Sequence, residues 1–120
     1  HIAGYSADGK ANGTAMSVET ICRFFDFPNK NWYPKKLPAP RKPGIVLHTK
    51  GKSIQKLLYE AVQHTYCIEN DNDALKRQPS LFEKLRAEYI FRREFQAFNV
   101  QLSPKKKEVK SILHAIGFSI

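Results

Sequence analysis

Five of the seven prolines in this 120-residue chain, Pro28, Pro34, Pro38, Pro40 and Pro43, fall within one short stretch. Proline lacks an amide donor and has a fixed φ, so residues 28–44 are neither helix interior nor central strand. They form a stiff connection that separates a short leading segment from a longer trailing one. The same region carries charge of one sign. Between Phe27 and Tyr59 there is no acid, but there are eight bases: Lys30, Lys35, Lys36, Arg41, Lys42, Lys50, Lys52 and Lys56. Trp32 and Tyr33 stand among them. Cations neutralise phosphates and aromatic rings offer stacking faces, so such a loop suits a polyanion.

The net charge of +9 and a pI of 9.7 extend that bias to the whole chain and point to nucleic acid or anionic lipid as partner class. Hydrophobic content of 42% with eight Phe is enough for a core, which argues against global disorder and for one domain over 1–120. No apolar run approaches the roughly 20 residues of a membrane span. There is no signal peptide, and the start at His1 suggests a fragment or a processed form. Cys22 and Cys67 are too few for a disulfide framework, so a reduced, intracellular protein, nuclear or cytoplasmic, is expected. A secreted factor with a Cys22–Cys67 bridge is the alternative.

Residues 1–16 are rich in Gly, Ala, Ser and Asn without a clear period, and read as a loop or irregular strand, mobile at the terminus. Val18, Ile21, Cys22 and Phe25 hold helical spacing after a Ser17 cap, and Pro28 ends that helix. Gly44–Thr49 is β-branched and reads as a strand. Ile54, Leu57, Leu58, Ala61 and Val62 form a helix from Ser53 to about Tyr66, and the turn-forming residues from Glu69 to Asp73 break it. A capping box at Ser80–Glu83 starts a long central helix to about Phe98. Ser103 and Pro104 open a last helix with a Val109, Ile112, Leu113 and Ile116 stripe. Gly117 ends it in the left-handed position with Phe118 folding back, and Phe118–Ile120 start a strand. The expected fold is mostly α with a small β component (α+β), four helices in a compact domain.

The last helix has a second face made of Lys106, Lys107, Lys110 and His114. A long helix, a polar break, Ser-Pro and a basic helix ending in Gly-Phe resemble the helix–turn–helix portion of winged-helix domains. In particular, LSPKKKEVKSILHAIGF resembles the recognition-helix segment of phage and plasmid primase C-terminal winged helices. That resemblance covers the chain from Ser80 onward and implies a winged-helix-like C-terminal half with DNA contact from this helix. Separately, Ile2–Gly9 resembles the helix motif of LAGLIDADG homing endonucleases. It implies close helix contact through small residues and a catalytic divalent metal held by Asp8.

His64 and Cys67 have the spacing of two metal ligands, with Cys22 and His48 as distant completers, but structural zinc uses two such pairs. No Gly-rich phosphate loop or nucleophile signature is present. Lys35-Lys36 with Arg41-Lys42 also fits a nuclear import signal or a proline-rich ligand. The expectation is therefore a non-catalytic nucleic-acid-binding domain, DNA rather than RNA, with no cofactor, no metal and no membrane span. Lys35, Lys36, Arg41 and Lys42 contact phosphates, Trp32 or Tyr33 stacks, and Lys106, Lys107 and Lys110 form a second footing. A protein-interaction module that meets an acidic partner, and a fragment of a LAGLIDADG-like metal-dependent endonuclease, are the alternatives.

Overall fold

A computed structural model describes residues 4–28 and 31–120. The first two residues of the Ile2–Gly9 motif, the start of segment 1–16, and Lys30 of the basic stretch lie outside the described residues. Helix α1 spans Ala7–Phe24 and begins well before Ser17. Ser6 is the cap, its Oγ accepting from the Gly9 amide at 2.8 Å. A Cβ on Gly9 would stand 2.9 Å from that Oγ, so glycine is what lets the cap close. Ser17 lies inside the helix and donates to the Gly13 carbonyl at 2.9 Å. Asp26, at φ 55, turns the chain after the last helical turn, and the Phe27 amide reaches back to Cys22 O at 2.8 Å. This is a Schellman closure.

Residues 31–43 contain no helix or strand. The carbonyls of this proline stretch are held from outside. Arg93 Nη1 donates to Pro38 O at 2.6 Å, His64 Nε2 pairs with Lys42 O at 3.0 Å, and the Asn99 amide donates to Pro43 O at 2.8 Å.

Strand β1, Gly44–His48, runs parallel to β2, Asn99–Ser103, with Ile45 opposite Val100 and Leu47 opposite Leu102. Their alternation puts Ile45, Leu47 and Val100 in the core, whereas Val46 and Gln101 face solvent. Helix α2, Ile54–Thr65, is capped by Ser53 as its sequence suggests. Helix α5, Lys107–Ala115, follows β2. Leu57 and Ala61 of α2 and Val109 and Leu113 of α5 are fully buried against the strands. Phe118 closes the core, its amide donating to Leu113 O at 3.0 Å and its ring stacked 4.6 Å from Phe95. Gly117 takes φ 108, the left-handed position assigned to it. Ser119 then forms a single parallel bridge to Asn99.

The architecture is the expected mostly α domain with a small β component. Several elements differ in detail. The run from Glu69 to Asp73 is no break but the start of α3, Ile68–Arg77, where Glu69 and Asp71 lie in the first turn and Lys76 and Arg77 in the last. That charge order complements the helix dipole and offsets the weak propensity of Asn and Asp. The long helix from Ser80 shrinks to α4, Phe82–Ala87, with no buried residue, so it is not central. Val100 and Leu102 of the following segment pair with β1 instead, and Ser103 ends β2 rather than capping α5. The winged-helix expectation is corrected as well. The sheet is a parallel pair, and α5 packs its apolar stripe onto it.

The radius of gyration is 18.0 Å, against about 14 Å for a compact domain of this length. The far end of α1 is one exposed part of the molecule. The last residue of α1 and the turn after it carry the ring cluster Phe24, Phe25 and Phe27, with Phe24 80% exposed.

Candidate functional site

Asp8 is the best-held polar group described. It is 2% exposed, yet it comes from the first turn of a surface helix. Arg93 donates to it from Nε at 2.8 Å and from Nη2 at 3.1 Å. The Glu94 amide donates at 2.9 Å and Gln96 Nε2 at 3.0 Å. Burial alone would raise the Asp8 carboxyl, but the bonds from Arg93 and the Glu94 amide, with the Arg93 charge, hold it below its usual range. The same pairing raises the Arg93 guanidinium. Asp8 thus fastens α1 to the segment before β2, aided by the Ala7 amide on Arg92 O at 2.9 Å. A carboxylate with four protein donors is a structural anchor, and the endonuclease alternative with a metal on Asp8 is corrected accordingly.

Next to this anchor opens a cleft of about 720 Å³. Its walls are the end of the proline stretch with Arg41 and Lys42, the last turn of α2 with His64, and residues 88–93 with Arg92. On its floor, Tyr66 and Tyr89 both donate to Asp71 Oδ2, at 2.6 and 2.7 Å. Burial raises both phenols, and the Asp71 carboxylate raises them further. The Arg92 guanidinium carbon sits 4.3 Å from the centre of the Tyr66 ring, in cation–π contact.

The residues selected from the sequence are scattered. Arg41 and Lys42 border the cleft. Lys35 and Lys36 are exposed on the loop. Trp32, 38% exposed, lines a separate groove with Pro34, Leu37 and Pro38 against α1, and Tyr33 is exposed beside it. Lys107 and Lys110 are exposed on α5 and Lys106 is half-buried at its start; none of the three borders the cleft. His64 and Cys67 turn to Lys42 O and Glu69, and both cysteines are free thiols. Among the described residues no group of three His, Cys, Asp or Glu is placed to hold a metal ion. No helix among them is long and apolar enough to cross a membrane. Sequence reasoning missed Asp71, Arg92 and Arg93. The Arg-Arg pair beside Phe91 was the available signal, hidden by its placement inside a supposed helix.

A parallel strand pair backed by two helices, with an anchored arm and a cleft beside it, defines a small α+β unit. The chain belongs to the family described as Domain of unknown function (DUF3410), whose model matches residues 37–117. Its relatives are enzymes. It is 43% identical over 100 residues to an erythronate-4-phosphate dehydrogenase of Bacteroides thetaiotaomicron, which covers 83% of this chain and 26% of the relative. It is 44% identical over 104 residues to the Bacteroides fragilis protein of the same name, covering 86% and 27%. The Photorhabdus laumondii protein of that name is 34% identical over 122 residues, covering 99% and 32%. The chain therefore spans about a quarter to a third of the length of the curated relatives it matches.

These findings overturn the nucleic-acid expectation. The kinship is to dehydrogenases, so neither DNA or RNA nor an acidic protein stands as the main partner, and a nuclear location has no support. The physical error was to treat net charge as a partner. The total of +9 says nothing of where the charge sits: Arg93 is bound to Asp8 and Lys52 to Glu60 at 2.7 Å, and the loop and α5 cations do not share one surface.

Proposed function

We propose that this chain is the small C-terminal domain of an erythronate-4-phosphate dehydrogenase. The observation that carries it is the 43–44% identity to the two Bacteroides enzymes over more than four fifths of the chain. The substrate named for those relatives is a four-carbon sugar acid bearing a phosphate. Oxidation of such an acid takes a hydride from a carbinol carbon, passed to an electron acceptor, and a proton from the hydroxyl on that carbon.

The exposed end of α1 supports the same reading. Met16, Ile21 and Phe24 of α1, and Phe25 and Phe27 just after it, are all exposed large apolar side chains. A patch of that kind marks a surface covered by something else. In this reading the rest of the enzyme covers it. The single-domain expectation becomes a folded unit built around β1 and β2, with α1 as the connecting arm fastened by Asp8. A cytoplasmic location is part of the proposal and agrees with the free thiols of Cys22 and Cys67.

Deleting residues 37–117 from the full-length protein tests the role of this unit. Oxidation of erythronate 4-phosphate should fall at least tenfold, with the remaining domains still folded by circular dichroism. Undiminished activity after the deletion would overturn it.

A further inference from the structure

No residue between Ala61 and Phe95 belongs to the hydrophobic core or to the apolar side chains packed against it. Helices α3 and α4 fill most of that span, and neither has a buried residue. Ile68, Leu75 and Leu81 are exposed. Ala74, Leu75, Phe82 and Leu85 line a pocket of about 140 Å³ between the two helices, so apolar contact joins α3 to α4 as a hairpin. Exposed helices with few buried apolar contacts mark a segment that opens at a lower free energy than the whole domain.

A single carboxylate closes the base of this hairpin. Tyr66, the residue after α2, and Tyr89, two residues past α4, both donate to Asp71 Oδ2, at 2.6 and 2.7 Å. Entry, exit and the first turn of α3 thus meet on one oxygen. Hydroxyl bonds to a carboxylate are short and stronger than neutral ones. Gln63 donates to Glu69 at 2.8 and 2.9 Å, but this pair is exposed, and Arg86 reaches the Tyr5 hydroxyl at a long 3.3 Å. Joints flank the base on both sides. Tyr66 and Cys67 are extended, at φ −157 and φ −94, between α2 and α3. Residues 89–91 have no helix or strand, and the chain is fixed again at Arg92, whose carbonyl accepts from the Ala7 amide.

The hairpin also forms part of the cleft beside Asp8. Cys67, Asn70, Asp71 and Leu85 line it together with Arg41 and His64. The cleft keeps that wall only while the hairpin is docked.

We propose that α3 and α4 form a hinged unit, latched by Asp71 on Tyr66 and Tyr89, that opens from the domain and uncovers the cleft while the core stays folded. Helices of 10 and 6 residues are too short to persist alone in water, so opening melts them and exposes their amides. This device operates whatever reaction the full-length protein performs.

Native-state hydrogen exchange of the full-length protein is the test. The amides of Ala74–Arg77 and of Arg86 and Ala87 should exchange at least about tenfold faster than those of Leu57 and Leu113. Tyr66→Phe/Tyr89→Phe should speed hairpin exchange by a further factor of about ten or more, since each hydroxyl bond to the carboxylate is worth roughly that factor. Leu57 and Leu113 should exchange in this variant as in the wild type. The Cys67 thiol, which lines the cleft at the joint, should be alkylated faster by iodoacetamide in the variant, as read by peptide mass spectrometry. Lys106→Ala/Lys107→Ala, away from the hairpin, should change neither readout. Hairpin amides that exchange in step with Leu57 and Leu113 overturn the proposal. So does a Tyr66→Phe/Tyr89→Phe protein with unchanged hairpin exchange, or one that loses core protection or fails to fold. Faster hairpin exchange with unchanged Cys67 alkylation overturns the link to the cleft.

Discussion

Replacing Asp8 by Ala removes the acceptor of four hydrogen bonds in one step. Arg93 would keep only the Pro38 carbonyl at 2.6 Å, and its side chain is 15% exposed. The Glu94 amide and Gln96 would lose their acceptor as well. Removing one partner of a buried ion pair costs about 3–5 kcal/mol, because the other charge stays buried and uncompensated. That cost should fall on the arm. The hydrophobic core of β1, β2, α2 and α5 does not include Asp8. Hydrogen exchange should therefore quicken in the first turns of α1 and over residues 92–96, with protection at Leu57 and Leu113 retained. Adding Arg93→Met should recover part of the loss, since the stranded charge goes too. The pH dependence has a definite sign. The Asp8 carboxyl is lowered from 3.8, so its contribution is complete above that value and is lost as pH falls through the native pKa. A loss below about 1 kcal/mol in Asp8→Ala, or an unchanged α1 exchange pattern, would refute the anchor.

Leu57→Ala and Leu113→Ala, at fully buried core positions, should each cost about 2–5 kcal/mol in urea melts of the chain. Tyr89→Phe removes a 2.7 Å bond to a carboxylate and should cost about 1.5–3 kcal/mol. The Tyr89 phenol is raised above 10.0 by burial and by Asp71, so its stabilising effect is full below that pH and is lost at higher pH, where absorbance at alkaline pH follows it. Phe24→Ser/Phe25→Ser should leave the melting of this chain within about 0.5 kcal/mol, as both rings are exposed, yet destabilise the full-length protein that carries it.

Local signals were legible where chain and core agreed. Ser53 with the Leu57–Ala61 spacing marked α2, the Ile45–Leu47 alternation marked β1, and Gly117–Phe118 marked the end of α5. Errors arose where a distant partner decided. Val100 and Leu102 alternate at strand period, but they lie between a helix expected to run to about Phe98 and one expected from Ser103, and only pairing with β1 makes them a strand. Gly9 and Gly13 disguised the first half of α1, because the tight Ser6 cap that needs Gly9 is a three-dimensional fact. Of the cleft, composition identified Arg41 and Lys42. The bond from Arg93 to Asp8 spans 85 positions, and the one from Tyr89 to Asp71 spans 18, beyond the reach of any local pattern.

The most direct measurement is steady-state oxidation of erythronate 4-phosphate by the full-length protein that carries this chain. Turnover of that substrate, with unphosphorylated erythronate a far poorer one, is the expected result. A folded full-length protein that fails to oxidise erythronate 4-phosphate with any electron acceptor would contradict the assignment.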